Sequence, residues 1–526
     1  MAGAAEAWRP KFNPWLIAIV VAMAAFMEVL DTSIANVALP HLAGDLGASN
    51  DESTWVLTSY LVSNAIVLPM TGWLATTFGR KRLFLLCISL FTLTSLLCGI
   101  APSLSMLVLF RVIQGAGGGG LQPMAQAILA DTFPPEKRGL AFALYGITTI
   151  MAPTIGPTLG GWLTDNYSWR WIFYINLPVG LLTLFLVFRM VEDPPYLSAR
   201  RGAGVRVDYI GIALLTLAVG ALQILLDKGQ EEDWFGSHFI VTLAVVSAVC
   251  FVCLVVWEWH QKAPIVDVRM FKSFNFAVSN LMMFNLGMLL FASLVMMPLF
   301  LQTLMRYTAQ SAGLVLSGAG MVLLFEMPIV GQLTTKFPAK YIMAFGWLCL
   351  AFGMYRSTSQ LDLLISFGAA SRLRIAQAFG LGFLFVPISL AAYIGIPSEK
   401  GNTVAGLVNF MRNIGSSVGT SLVTTLLARR AQFHQSMLSS HATSYDPAFR
   451  TQVSGLAAQL VHAGASVSDA QGQAYARVYQ SLQIQSQTLA YIDTFKVLAV
   501  AASLMFLLSF IVRKNDPSAR GQVAAE

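Results

Sequence analysis

RVIQGAGGG, Arg111–Gly119, returns later in the chain as RIAQAFGLG, Arg374–Gly382. Both copies carry an arginine, a glutamine three residues on, and glycines six and eight residues on, and they stand 263 residues apart. Around them GWLATTF from Gly72 returns as GQLTTKF from Gly331, 259 apart, and Gly156 answers Gly419, again 263 apart. Three matches in the same order argue for a duplicated chain, so the fold is expected to contain two related halves.

The medium in which those halves fold follows from composition. The chain has 526 residues, of which 56% are hydrophobic and 11% charged, with mean hydropathy +0.66. No soluble globular domain has that balance. Apolar stretches of the roughly 20 residues that a spanning helix needs recur along nearly the whole sequence. Fourteen are read, at 15–39, 54–76, 83–101, 104–131, 139–164, 170–191, 207–226, 238–257, 276–300, 312–333, 341–356, 362–392, 402–428 and 491–512.

Together with the repeat they parse as an amino-terminal six-helix bundle (1–191), a linker with an inserted transmembrane hairpin (192–272), and a carboxy-terminal six-helix bundle (273–526). A polar segment, 429–490, precedes the last span. Eight helices separate equivalent spans, so the halves share one orientation and a substrate is expected between them near the midplane.

The net charge of +7 follows the membrane and not a nucleic-acid face. Arg80, Lys81, Arg82, Lys137, Arg138, Lys262, Lys336, Lys340, the basic segment 198–207, Arg513 and Lys514 gather on one side. The opposite short loops hold only Arg170, Lys228, Arg306 and Arg356. This positive-inside bias puts both termini in the cytoplasm and 429–490 outside, and it argues against a nucleic-acid partner.

Inside the first span stand two acids three residues apart, Glu28 and Asp31. A charge at bilayer centre costs about 2.5–3.5 kcal/mol on insertion scales, so each acid calls for a partner, a wet cavity or a proton. Spacing of three places them on one helix face, where one acid is a natural reversible proton carrier. Arg111 and Gln114 are similarly costly; Arg111 is read either as a structural ion-pair partner or as part of a coupling pathway, with Arg374 its repeat. Glu326, in LLFEMPIVG, is a third intramembrane acid, either lining a cavity or satisfying a neighbour. Arg372 and Arg412 are further cations.

GITTIMAPTIGPTLGG, Gly146–Gly161, sets Pro153, Gly156, Pro157, Gly160 and Gly161 in one span, a pattern for close helix approach and bending. Beside the repeats, it resembles the fifth-helix antiporter motif of the major facilitator superfamily. LDTSIANVALP, Leu30–Pro40, resembles the first-helix signature of fourteen-span drug:proton antiporters. GWLATTFGRKR, Gly72–Arg82, resembles the superfamily's loop between the second and third helices, and RVIQGAGGG its fourth-helix motif.

The similarity to EmrB/QacA-type multidrug exporters, the EmrB-like branch above all, covers nearly the whole chain. It implies an all-α integral membrane protein of the major facilitator superfamily fold and proton-coupled efflux of amphipathic drugs across a bacterial inner membrane. It also implies an EmrA-like periplasmic adaptor with an outer-membrane channel. Asp31, within the family-like signature, is expected to be the main proton-coupling acid, with Glu28 modulating and Glu326 a further candidate, and Arg111, Gln114, Asn36 and Arg374 would line the pathway. Gly72, Gly79, Arg80 and Asp131 would gate, and the glycines and prolines of the fifth helix would pack it. The chain departs from the family loop at Thr76, where an aspartate is usual, so Asp131 is the acid expected to meet Arg80.

Other chemistries lack residues. The run Gly117–Gly120 has no following Lys and Ser/Thr, so no nucleotide cofactor is expected; the resemblance implies the proton motive force as the energy source. Cys250 and Cys253 lie in an apolar helix without a redox setting, the six histidines lack metal-ligand spacing, and no catalytic constellation can be assembled. A metabolite importer of the same fold, and a non-transporting receptor or scaffold, stay open as alternatives. In 429–490, stripes at Val453, Leu456, Ala457, Leu460 and at Tyr475, Val478, Tyr479, Leu482 predict two short amphipathic helices. They would pack on each other, skim the outer leaflet or dock the adaptor.

Overall fold

The computed structural model describes residues 10–194, 207–440 and 442–512. Most of the basic segment 198–207, together with Arg513 and Lys514, lies outside the described residues. Regular structure among the described residues is helical, without a strand.

The first half comprises α1 (Pro14–Leu46), α2 (Trp55–Phe78), α3 (Arg80–Gly99), α4 (Leu104–Thr132), α5 (Arg138–Asn166) and α6 (Asn176–Met190). The inserted pair is α7 (Tyr209–Lys228) and α8 (His238–His260). The second half comprises α9 (Phe274–Thr303), α10 (Ala309–Lys336), α11 (Ala339–Gln360), α12 (Phe367–Ala378), α13 (Gly382–Ala392), α14 (Gly401–Ser439), α15 (Pro447–His462) and α16 (Val467–Ser509). Every span read from the sequence falls on one or more of these helices.

By length and composition, 12 helices among the described residues are apolar enough to cross a membrane. The expected spans 341–356 and 402–428 fall on α11 and α14, which are not among those 12. In α14 the shortfall has a cause: it brings Asn409 and Arg412 to the other half, where both find polar partners.

The duplication is visible in the packing. α1 lies against α5 within the first half as α9 lies against α14 within the second, and the halves meet where α5 packs on α10 and α2 on α14. Glycines permit these contacts. A Cβ at Gly72 of α2 would fall 2.8 Å from Cα of Thr403 in α14, and one at Gly331 of α10 would fall 3.0 Å from the Gly139 carbonyl of α5. At Gly79, φ of +87° forms the turn into α3, a conformation that favours glycine.

Within α5, Pro157 has no N–H, so the Pro153 carbonyl four residues back lacks its helical donor. Ser33 of α1 donates to that carbonyl at 3.3 Å. Gly156 faces Ser33, and Gly160 faces Ile34 at 3.0 Å from a built Cβ, whereas Gly161 has its nearest neighbour at 3.9 Å. Gly156→Val should therefore lower the melting temperature sharply, overpacking costing about 1–3 kcal/mol, while Gly161→Ala should leave it within a degree or two or raise it. Equal tolerance at both positions in a thermal melt of purified protein would show that α1 and α5 do not approach this closely.

The inserted pair is fastened to both halves. Gln223 of α7 donates to Ser417 of α14 at 2.7 Å, while Thr58 of α2 donates to Asp227 and Lys228 donates to Thr54 at 2.5 Å. Outside the spans, burial works against the charge of Asp267. Lys400 at 2.7 Å and Arg269 at 3.2 Å outweigh it and hold the carboxyl below the usual carboxylate range. That ion pair ties the linker to the start of α14.

One expectation is refined and one changes. The span 362–392 stands as one stretch long and apolar enough to cross a membrane, Phe367–Ala392, but its helix is interrupted where the chain tightens at 379–381, with Leu381 donating to the Ala378 carbonyl at 2.9 Å. The segment 429–490 is helical almost throughout: α14 runs on to Ser439, and the second stripe belongs to the front of α16, continuous with the last span. The stripes pack on each other, with Val453 and Leu460 of α15 against Ala470, Ala474 and Val478 of α16. A cavity of about 520 Å³ lies among α14, α15 and α16, lined by Gln435, Ser439, Phe449, Tyr475, Tyr479 and Leu482.

Candidate functional site

Glu28 and Asp31 lie on the face of α1 turned to α2 and α4, and both are buried. Their surroundings differ. Asp31 accepts from Arg111 Nη1 at 2.5 Å, from Asn176 at 2.8 Å and from Gln114 Nε2 at 3.2 Å. Arg111 in turn donates through Nε to the Val56 carbonyl at 3.1 Å and through Nη1 to Gln114 Oε1 at 3.0 Å. Its guanidinium lies 4.2 Å from the centre of the Tyr60 ring, a cation–π contact in a dry setting. The arginine and its acid are thus a buried, hydrogen-bonded ion pair within the first half.

Glu28 forms no ion pair among the described residues, although the charge of Arg412 acts on it. Its Oε1 accepts from Asn64 at 2.9 Å and from Tyr60 at 3.3 Å, and its Oε2 from Gln122 Nε2. Tyr60 therefore joins the two acids, its ring under Arg111 and its hydroxyl on Glu28.

Gln122 carries the network to the other half of the molecule. Its Oε1 accepts from Arg412 of α14 and from Tyr145 of α5 at 3.2 Å. The Tyr145 hydroxyl is also 3.1 Å from Asn409 Oδ1, and Asn409 Nδ2 donates to Gln126 Oε1 at 2.6 Å. Beside this junction Tyr145 and Phe385 approach with ring centres 5.8 Å apart. Side chains of α4 and α5 thus meet side chains of α13 and α14 at one polar node attached to Glu28.

At the basic end of the first half, Arg80 meets Asp131 at 2.6 Å and the Ala127 carbonyl at 3.3 Å, as the departure at Thr76 led one to expect. Thr76 instead donates to its own helix at Trp73, 2.8 Å.

In the second half, Arg374 is buried and Nη1 donates to Ser293 at 3.0 Å and to Gln377 at 3.1 Å. Glu326 is buried against the start of α13. A Cβ at Gly382 would lie 2.7 Å from its Cδ, so only glycine leaves that room, and its oxygens meet no side-chain donor among the described residues.

The structure thus gathers Glu28, Asp31, Arg111 and Gln114 into one assembly and places Arg374 and Glu326 apart from it. Asn36 is exposed and joins neither acid's network. Sequence reasoning passed over Tyr60, Asn64, Gln122, Tyr145, Asn176 and Asn409. Gln122 had the one readable signal, a long polar side chain after four glycines in an apolar helix.

Comparison with known proteins places this geometry in context. The family model described as Major Facilitator Superfamily matches residues 21–420. The multidrug export protein EmrB of Haemophilus influenzae is 40% identical over 434 residues, 82% of this chain and 84% of that protein. EmrB of Escherichia coli strain K12 is 38% identical over 444 residues, 84% and 86% of the two chains. Among solved structures, the proton:xylose symporter XylE superposes with a TM-score of 0.59 at 15% identity, covering 96% of this chain and 97% of that one.

Proposed function

The chain belongs to the major facilitator superfamily, and we propose that it exports drugs and other amphipathic toxic compounds in exchange for protons. It works in the bacterial inner membrane by alternating access of its two halves. The similarity to multidrug export proteins over more than four fifths of each chain supports the export of drugs. The observation that carries the coupling is the node at Gln122, which connects a buried acid of the first half to Arg412 and Asn409 of the second.

Among the described residues Glu28 is hydrogen-bonded by neutral donors, so taking up a proton breaks no direct ion pair, although it removes the attraction of Arg412. Asp31 differs: neutralising it leaves Arg111 buried and unpaired. Glu28 is therefore the exchanging acid, with Asp31 and Arg111 as its fixed neighbours, and Glu326 is a second protonation site in the other half. Protonation of Glu28 weakens its hold on Gln122, and with it the contact of Gln122 with Arg412 and Tyr145. Loss of these contacts lets the halves separate on one side of the membrane, and deprotonation restores them.

Fourteen crossings with both termini in the cytoplasm place α15 and the front of α16 outside. There they form a helical platform for an EmrA-like membrane fusion protein that leads to an outer-membrane channel. The test is transport direction and adaptor capture with the same full-length protein. Inverted vesicles energised with an acid interior should accumulate a cationic dye such as ethidium, and deletion of 440–485 should abolish adaptor co-purification while sparing vesicle transport. Accumulation of dye in the opposite direction would make the protein an importer, and undiminished adaptor capture by the deletion would remove the platform.

A further inference from the structure

The internal repeat shows an asymmetry that transport of drugs does not explain. Arg111 and Arg374 occupy equivalent positions, and each donates through Nη1 to the glutamine three residues on, at 3.0 Å and 3.1 Å. The same Nη1 also reaches the facing helix. In the first half it meets Asp31 of α1 at 2.5 Å, and in the second it meets Ser293 of α9 at 3.0 Å. Ser293 stands 262 residues after Asp31, and Ser357, which accepts from Gln377, stands 262 after Ser95. The register is shared, so Ser293 occupies the place of the acid.

A serine does not neutralise a guanidinium. Arg374 is 2% exposed, its Nε finds no partner, and no acid pairs with it among the described residues. A buried charge left unpaired is strongly destabilising, which is why intramembrane cations pair with something. We infer that Arg374 holds a small inorganic anion, chloride in physiological media, in the place that Asp31 occupies in the first half. The guanidinium supplies its donors, Nε foremost, since the Ser293 hydroxyl donates to the Leu290 carbonyl at 2.9 Å. Chloride is the conjugate base of a strong acid and takes no proton, so the position beside Arg374 does not exchange protons as a carboxylate there could.

Purified full-length protein tests this by thermal melting in chloride titrated against gluconate at constant ionic strength. A saturable rise in melting temperature with chloride is expected for the native protein, by linkage of ion binding to folding. The rise should vanish in Ser293→Asp, which supplies the missing carboxylate, and in Arg374→Gln, which removes the cation. Should either variant fail to fold, bromide soaked into crystals of the native protein is expected to give an anomalous peak beside Arg374. Identical native melting in the two salts, a chloride effect that survives in both variants, or no bromide peak at Arg374 would overturn the assignment.

Discussion

Glu28→Gln is expected to leave a folded protein that no longer drives efflux with a pH gradient. Glutamine keeps the length and planarity of the side chain, and its one amide oxygen can still accept from Asn64 and Tyr60, while its NH2 takes the place of the oxygen that accepts from Gln122. What is lost is the ability to alternate between a charged and a neutral group at the node joining the halves. Gradient-driven transport in proteoliposomes should fall by at least about tenfold, equivalent to about 1.4 kcal/mol of driving interaction. Dye binding to the detergent-solubilised protein should persist. Glu28→Asp keeps the charge on a shorter arm and should retain partial transport. Full gradient-driven efflux by the glutamine variant, together with its loss in Asp31→Asn, would return the exchanging role to Asp31.

Asp31→Asn has the larger effect on folding. Removing one member of a buried ion pair costs about 3–5 kcal/mol because the other charge remains, a large part of the stability of a typical domain. Arg111 would keep Val56, Gln114 and the Tyr60 ring, none of which carries a negative charge. The single variant should therefore melt well below the native protein and accumulate poorly. Adding Arg111→Gln should recover much of that loss, since replacing both charges leaves none stranded. Transport by the double variant should still be impaired, because Arg111 also fixes Tyr60, whose hydroxyl reaches Glu28. Additive destabilisation of the two substitutions in a double-mutant cycle would mean that the pair does not act as a unit.

Much of this architecture is legible in the sequence because membrane insertion and duplication leave strong marks. Hydropathy located the helices, and RVIQGAGGG with its later copy located the halves. The glycines of α5 were readable because close helix approach tolerates few other residues, and Thr76 pointed to Asp131 as the partner of Arg80.

The node between the halves was not readable. It depends on Gln122, Tyr145 and Asn409, common residue types that three different helices bring together, and no local spacing links positions so far apart. The partners that set the two acids apart were hidden for the same reason. Asp31 lies within the more recognisable signature, yet its partners Arg111 and Asn176 fix it as an ion pair, and Glu28 is the one attached to the other half. The segment 429–490 was misread as a loop with two short helices because its polarity resembles that of a connection. No proline interrupts Val467–Ser509, so the helix of the last span also contains the second stripe.

Proton release on substrate binding tests the central claim most directly. Purified protein in weakly buffered solution near neutral pH, mixed with a saturating cationic substrate, should release protons that a pH indicator records. Glu28→Gln should release none while still binding the substrate. Substrate binding by the native protein without proton release, or equal release by Glu28→Gln, would contradict the exchange of proton for substrate at Glu28.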